Sequence, residues 1–276
     1  MKRDDYTAFN RKAWNQAEPI HRKQNFERLL QDFKKAGYNQ LDKTATELLQ
    51  AIGLAGKSVA QVCCNNGREL LSVKNLGAKR CTGFDISERF IAQARELADA
   101  GGIDCEFVSC DAYHVPSQYN ESFDLVFCTV GTLGWMPELD KFFDVVKRLL
   151  VSNGRLFLYE MHPILDMFDP EESKDPLQIR HSYFRKEPFA DTTGLDYYGH
   201  ERYESVPQYW FPHTMAEILS LCLRGGFRLE AFREYDHDIS NAYAHFEKFD
   251  ARPPLSYSLT AVLEKENSDS RNSGRK

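Results

Sequence analysis

The sequence predicts an α/β fold built around one largely parallel β-sheet, and three features of the 276-residue chain indicate it. From Lys57 onward, short apolar runs alternate with helical stretches, which is typical of βαβ units with right-handed crossovers. Before Lys57, apolar side chains recur at helical spacing, as at Phe26, Leu29 and Phe33. A charged and aromatic segment over residues 164–210 interrupts the alternation, and it could add a hairpin to the domain.

Seven apolar runs are the candidate strands of this sheet. In chain order they are SVAQVCC, RCTGFDIS, CEFVSCDA, FDLVFCTV, RLFLYEMHP, FRLEAFREY and SYSLTAVLEK. Glycines that follow the intervening helical stretches, as at Gly77, indicate where those helices end. Only about twenty residues join the last two runs, which allows the last strand to return antiparallel at the sheet edge.

These patterns divide the chain into three parts. Residues 1–56 are expected to form an N-terminal helical cover, and residues 57–265 an α/β domain. Within the insert at about 164–210, HSYFRKEPF and LDYYGHERYES could pair as the two strands of the hairpin. The polar tail 266–276 lacks apolar anchors and is expected to be disordered.

The composition limits the class of partner. The chain has 35 Lys and Arg against 41 Asp and Glu, a net charge of −6, which argues against a nucleic acid or an anionic membrane surface as partner. No apolar run approaches the roughly 18 residues of a membrane span, and the start MKRDDYTAFNRKAWNQ lacks the apolar core of a signal peptide. Seven cysteines without a CxxC pair predict reduced thiols. We therefore expect a cytoplasmic protein that acts on a small molecule, of an oligomeric state that the sequence does not indicate.

Polar residues follow the first strands at the sheet edge where open parallel sheets bind ligands. After Cys63, the turn contains Asn65 and Gly67, residue types that tolerate positive φ and let the backbone approach a ligand. The second strand ends at Asp85, whose carboxylate can accept hydrogen bonds from two ribose hydroxyls. The third ends at Asp111, which can accept from an adenine amino group. This spacing favours a nucleoside-containing cofactor.

On these residues the chain resembles the class I S-adenosylmethionine-dependent methyltransferases. The resemblance extends over about 57–265, and it is carried by QVCCNNGRE, TGFDISERFIAQAR, FVSCDA and FDLVFCTVG. It implies S-adenosylmethionine as cofactor, methyl transfer as activity, and a Rossmann-like sheet of seven strands with a reversed last strand. It also implies a set of cofactor-binding residues, which are Cys63, Asn65, Gly67, Asp85, Ile86, Asp111, Ala112 and Thr129.

The chain departs from that family in its first motif, which is usually an acid followed by three glycines at alternate positions. Here Gln61 stands at the acid, Cys63 and Asn65 stand at two glycines, and only Gly67 remains. We expect Asn65 or Asn66 to take positive φ, and the acidic contact to the methionine amino group to be lost. Two alternatives stay open: a nicotinamide enzyme, although GxGxxG is absent, and a fold in which the two aspartates only cap loops.

Three of the eight histidines are expected to converge above the sheet. His162 and His237 follow the fifth and sixth strands, and His213 precedes the helix after the insert, so all three belong to one edge of a parallel sheet. Three imidazoles suit a divalent metal such as zinc, iron or nickel, with His245 as a substitute for His237. The alternative is one catalytic or substrate-binding histidine with the others packed. The histidines expected to be ordinary surface or core residues are His114, His181 and His200.

The segments around these histidines narrow the resemblance. QVCCNNGRE, YEMHP, the helix start at His213 and EYDHDIS together resemble the bacterial 2-oxo acid C-methyltransferases, such as 2-ketoarginine methyltransferase. This implies methylation of a 2-oxo acid at its β-carbon, with a metal as Lewis acid on the developing enolate. The alternatives are a small-molecule O- or N-methyltransferase with a histidine as general base, and a non-catalytic protein that binds S-adenosylmethionine.

An aromatic and polar face of the N-terminal helices could close over the cofactor as a lid. Its members are Tyr6, Asn10, Trp14 and His21. Exclusion of water by such a lid would favour the transfer. Plain packing of these side chains against the sheet is the alternative.

Overall fold

Nine strands run through the part of the chain that the computed structural model describes, residues 1–171, 174–199 and 201–264. They are β1 (Ser58–Val62), β2 (Arg80–Asp85), β3 (Glu106–Ser109), β4 (Phe123–Thr129), β5 (Leu150–Met161), β6 (Phe189–Asp191), β7 (Gln208–Trp210), β8 (Phe227–Tyr235) and β9 (Ser256–Leu263). The polar tail 266–276 and His200, each the subject of an expectation above, lie outside the described residues.

Seven of these strands form the main sheet, in the order β3-β2-β1-β4-β5-β9-β8. Neighbours from β3 to β5 pair in parallel, whereas β9 pairs antiparallel with both β5 and β8. The predicted α/β sheet of seven strands with a reversed last strand is therefore confirmed. The reversed strand β9 lies one position inside the edge, because β8 continues the sheet beyond it.

Seven α-helices accompany the sheet within the described ranges. They are α1 (Arg3–His21), α2 (Glu27–Phe33), α3 (Lys43–Ile52), α4 (Arg68–Asn75), α5 (Glu88–Gly101), α6 (Leu139–Leu149) and α7 (Met215–Arg224). Local side chains begin three of them, since Asp42, Ser87 and Thr214 each accept a hydrogen bond from a backbone N–H three residues on. In this part of the chain, no helix is long and apolar enough to cross a bilayer.

The two faces of the sheet are covered by different helices. Because side chains alternate along a strand, Ala60 and Val126 pack into the layer under α6 and α7, whereas Val59 and Phe127 pack into the layer under α2 to α5. The strand β9 is buried along its whole length. This double cover is what a parallel sheet requires.

The N-terminal segment 1–56 contributes to the core. Leu29 and Phe33 of α2 and Leu49 of α3 are buried in the same layer as α5. The helix α1, in contrast, packs against β7 of the insert and against α5. A boundary at residue 56 between a helical cover and the α/β domain therefore stays a prediction. Of the three N-terminal helices, only α1 lies outside the core layer, in the position of a cover.

The insert forms a smaller hairpin than the sequence predicts. Its strands β6 and β7 are three residues long and pair antiparallel, with Phe189 opposite Trp210. Pairing of HSYFRKEPF with LDYYGHERYES is wrong: β6 begins at the end of the first segment, and the second is irregular. Gly194 has a φ of 94°, and Asp196 accepts three backbone N–H groups in a turn, which takes this stretch out of an extended conformation.

We predict that α3 is a structural part of the domain. Leu49 is 0% exposed, so replacing Leu49 by alanine should lower the free energy of unfolding by about 2–5 kcal/mol. The matched control is Leu223→Ala, at a side chain that is 57% exposed, which should change it by no more than about 0.5 kcal/mol. Urea unfolding of both variants measures the difference. Equal effects of the two substitutions would contradict this packing.

Candidate functional site

The turn after β1 has three left-handed residues at alternate positions. Cys63 has a φ of 58°, Asn65 of 50° and Gly67 of 71°. These are the positions at which the resembled family has glycine, so the turn keeps that backbone path with two side chains added. Positive φ at Asn65 confirms the prediction, and asparagine tolerates this region better than most residues. Positive φ at Cys63 was not predicted, because cysteine gives no local signal for it.

Hydrogen bonds to Asp85 hold this turn against the end of β2. Its carboxylate accepts from the backbone N–H of Asn65 at 2.7 Å and from that of Ser87 at 2.9 Å. Burial raises the pKa of Asp85 to about 6, and these N–H donors oppose the rise. A carboxylate has about four acceptor positions, so two remain for a ligand.

Close packing explains why glycine is kept at position 67. A Cβ there would lie 2.5 Å from the Phe107 ring on β3, a distance that side chains do not adopt. Phe107 itself is buried in the core layer, so the ring has little room to move. The helix α4 begins directly after this glycine, with its N-terminal N–H groups near the turn.

At the end of β3, Asp111 lies in a similar position. It begins a 3₁₀ turn over Ala112–His114 by accepting from the backbone N–H of Tyr113 at 2.9 Å. Loop capping is therefore one role that the structure gives each aspartate. Because one capping bond leaves most of the Asp111 acceptor positions open, this role and a contact to a ligand are compatible.

A cavity of about 240 Å³ lies above these strand ends. Seven of the eight residues named for the cofactor line it, and only Gly67 does not. Their role in binding stays a prediction. The seven are Cys63, Asn65, Asp85, Ile86, Asp111, Ala112 and Thr129.

The loop that follows Thr129 is held by a buried acid from β5. Glu160 accepts from the backbone N–H groups of Gly131 at 2.6 Å and Leu133 at 3.1 Å. Burial raises the pKa of Glu160 to about 8. Glu160 was not predicted as a site residue, because a single acid at the end of an apolar strand gives no sign of the loop that it supports.

All three tryptophans of the chain line the cavity. Trp14 comes from α1, Trp135 from the loop after β4, and Trp210 from β7. The Trp135 ring lies 5.3 Å from each of the other two, edge to face. Trp210 donates through Nε1 to Asp166 at 3.0 Å, which fixes its ring. Only Trp14 was among the predicted lid residues, since the other two are brought to the cavity by tertiary contacts.

The helix α1 and the insert are joined into one roof over the cavity. The Asn10 side chain donates to the Tyr209 carbonyl at 3.0 Å and accepts from the Tyr209 N–H at 2.8 Å. His21 donates through Nε2 to the Leu195 carbonyl at 2.6 Å, and burial lowers the pKa of His21. Trp14 and Asn10 line the cavity, so this part of α1 is both packed and placed as a cover.

The three histidines predicted to converge do not meet. His162 donates to Glu234 at 2.9 Å and accepts from a backbone N–H, whereas His213 donates to the Met136 carbonyl at 2.9 Å. His237 shares a hydrogen bond of 2.8 Å with the Tyr159 hydroxyl. None of the three lines the cavity.

The predicted metal site is therefore wrong in its geometry. Over the described ranges, no group of three His, Cys, Asp or Glu side chains could hold a metal ion. The substitute, His245, packs against the rings of Tyr243 and Phe246. The three histidines belong to one edge of the sheet, but their side chains do not meet, because each imidazole forms a hydrogen bond with a different neighbour. A catalytic role for His162, His213 or His237 stays a prediction without support from the cavity walls.

Comparison with known proteins finds a match to a methyltransferase domain over part of the chain. Residues 59–154 match the family model described as a methyltransferase domain. A tRNA U34 carboxymethyltransferase of Campylobacter hominis is 36% identical over 110 residues, and the match covers 39% of this chain and 37% of that enzyme's length. An uncharacterized protein of Haemophilus influenzae is 22% identical over 260 residues, covering 89% of this chain and 98% of that protein.

A solved structure agrees in fold. The magnesium protoporphyrin IX methyltransferase of Synechocystis PCC 6803 has a TM-score of 0.56 at 18% identity, and the match covers 94% of this chain and 98% of that one. The sheet order and this likeness show the Rossmann-like α/β fold of the class I methyltransferases. The match to a methyltransferase domain over residues 59–154 supports an enzyme of this kind, and the chain spans 37% of the length of the Campylobacter hominis relative.

The strained turn gives a testable prediction. Asn65→Val puts a β-branched residue at positive φ, which costs about 1–3 kcal/mol, so affinity for S-adenosylhomocysteine should fall about fivefold or more. Asn65→Gly accepts the same φ and should stay within about twofold of the wild type. Titration calorimetry measures both. Equal affinities of the two variants would show that this backbone conformation does not matter for binding.

Proposed function

We propose that the protein transfers the methyl group of S-adenosylmethionine to a small acceptor held between the turn after β1 and the roof of α1 and the insert. The observation that carries this proposal is the cavity itself. Its lining includes two strand-end aspartates and three tryptophans from separate elements. A small acceptor is favoured because the net charge of −6 weighs against a nucleic-acid substrate.

The residues present fit the cofactor. The free acceptor positions of Asp85 suit two ribose hydroxyls, and those of Asp111 suit an adenine amino group. The left-handed turn from Cys63 to Gly67 brings backbone, rather than long side chains, to this part of the cavity. When bound, S-adenosylmethionine supplies an electrophilic methyl group, while the chain orients both partners and excludes water.

The aromatic part of the cavity lining favours an acceptor with a flat, apolar body. Trp135, Trp210 and Tyr197 present aromatic surface there, and such surface binds planar groups through stacking and apolar contact. No histidine among the described residues lines the cavity, so an O- or N-methyltransferase with a histidine base lacks support. Methylation of a 2-oxo acid on carbon remains the finer proposal. Among the described residues, no group of metal-binding side chains supports its enolisation.

A nucleoside in RNA is a second candidate acceptor, favoured by the relative named as a tRNA U34 carboxymethyltransferase. The aromatic walls could also hold a nucleobase. The net charge of −6 weighs against it, because RNA binding relies on basic surface.

Radiolabelled S-adenosylmethionine tests the choice of acceptor. The wild-type enzyme is incubated with methyl-labelled cofactor and, separately, with a panel of 2-oxo acids, a panel of aromatic acids and phenols, and bulk tRNA. We expect label in a small-molecule product and none in tRNA. Binding has an independent readout, since all three tryptophans line the cavity and their fluorescence should change on acceptor binding. Label found in tRNA alone would replace the small acceptor by the second candidate.

Asp85 provides a test of the cofactor side. Asp85→Ala removes the acceptor for two ribose hydroxyls, each hydrogen bond being worth about 1.5–3 kcal/mol, so affinity for S-adenosylhomocysteine should fall by tenfold or more, about two orders of magnitude if both are lost. The matched control is Asp124→Ala, because Asp124 accepts from Ser58 N–H at the opposite edge of the sheet. Calorimetry should show unchanged affinity for that control. Unchanged affinity of the Asp85 variant would reject this cofactor position.

A further inference from the structure

A carboxylate at the start of α4 lines the cavity and forms no ion pair with a basic side chain of the described residues. Glu69 lines the cavity and accepts, through Oε2, from Gln61 Nε2 at 2.7 Å and from the Thr129 hydroxyl. Gln61 Nε2 also lies 3.1 Å from Thr129 Oγ1, so three strand-end and helix-start side chains form one closed network. These bonds fix the Glu69 carboxylate in the first turn of α4, where the helix dipole attracts negative charge.

The network leaves two acceptor atoms unused. Glu69 Oε1 accepts from no side chain in the described ranges. Gln61 is only 1% exposed, and its Oε1 has no hydrogen-bond partner among the described residues. The amide cannot simply be reversed, because its oxygen would then face the Glu69 carboxylate. Of the two residues only Glu69 lines the cavity, so its open oxygen is the one that can accept from a ligand that brings N–H groups.

The charges around the cavity indicate that this ligand group is positive. Three lining side chains are acidic, Glu69, Asp85 and Asp111, and Arg68 is the only basic one among the described residues. No ion pair joins Glu69 to a basic side chain there. An ammonium group carries three N–H donors and one positive charge, which matches the open oxygen of Glu69 and the excess of acid in the lining.

Arg68 supplies the opposite charge next to this carboxylate. Its guanidinium lies 5.5 Å from the centre of the Tyr198 ring of the insert, and it lines the cavity at the first residue of α4. Among the described residues it makes no ion pair with a carboxylate. A cation and an anion side by side at one helix start are complementary to the carboxylate and ammonium of an α-amino acid.

We infer that Glu69 and Arg68 bind the amino-acid end of the cofactor, with Glu69 on the ammonium, Arg68 on the carboxylate, and Gln61 as a positioning residue for Glu69. This inference rests on the proposed function, because it assumes that S-adenosylmethionine occupies the cavity. It explains how a chain with glutamine at position 61 keeps an acid for the ammonium group. The acid that the family usually has on β1 is replaced here by Gln61, and the nearby carboxylate is that of Glu69 on α4, eight residues later in the chain. The Gln61 amide donates a hydrogen bond to this carboxylate.

Two ligands that differ only in the amino-acid end test the inference. S-adenosylhomocysteine has that end, and 5′-methylthioadenosine lacks it. In Glu69→Gln, calorimetric affinity for S-adenosylhomocysteine should fall at least about tenfold, whereas affinity for 5′-methylthioadenosine should stay within about twofold. Arg68→Gln should show the same selectivity. The matched control is Glu96→Gln, which removes only a surface ion pair with Arg22 and should leave both affinities unchanged.

An exchange of the two side chains tests the positioning role. Gln61→Glu combined with Glu69→Gln keeps the amide–carboxylate hydrogen bond but reverses its direction, so affinity for S-adenosylhomocysteine should recover to within about fivefold of the wild type. Thermal unfolding of each variant confirms that the domain is folded.

The outcomes separate this inference from the proposed function. If the wild type binds S-adenosylhomocysteine and Glu69→Gln leaves that affinity unchanged, or weakens both ligands equally, the inference is overturned and the cofactor site stands. If the wild type binds neither ligand, the proposed function itself fails.

Discussion

The carboxylate of Asp85 is the contact on which the site depends. It accepts backbone N–H groups from the turn after β1 and from the start of α5, so one side chain connects two βα turns. Because Asn65 and Cys63 are held at positive φ, the turn needs such an anchor to keep its path. The same carboxylate lines the cavity with acceptor positions still open. Asp85 can therefore hold the two turns and accept hydrogen bonds from a ligand at the same time.

The roof depends on a second set of contacts, between segments far apart in the sequence. Asn10 pairs with the backbone of Tyr209 in the manner of a strand neighbour, and His21 bonds to the Leu195 carbonyl. These bonds place Trp14 and Trp210 on the same cavity, although about two hundred residues separate them. The cover is therefore neither the N-terminal helix alone nor the insert alone, and its two halves need each other.

Much of the sheet could be predicted from the sequence, because its strands are apolar runs separated by helices that end at glycines. The places of Asp85 and Asp111 in the cavity lining also followed from local signals, since Asp85 ends β2 and Asp111 lies two residues after β3. Their contacts with a cofactor stay a prediction. The acceptor side could not be predicted in this way. Trp135 lies on a loop and Trp210 on the insert, and the course of these segments brings both side chains to the cavity. No hydrophobic periodicity in the sequence predicts the course of such segments.

The histidines show the limit of inference from topology. His162 and His237 follow strands and His213 precedes α7, as predicted, yet each of the three bonds to a separate neighbour. Topology fixes where a Cα lies, whereas the side chain is directed by the nearest polar partner. Glu69 illustrates the converse, because an acid that no family pattern marks is placed in the cavity by its bonds to Gln61 and Thr129.

The most direct test of the central claim is a crystal structure of the protein with S-adenosylhomocysteine. The account predicts both ribose hydroxyls within hydrogen-bond distance of Asp85, the adenine amino group at Asp111, and the sulfur facing the cavity wall formed by Trp135 and Trp210. A ligand bound outside this cavity, or one whose ribose does not contact Asp85, would contradict it.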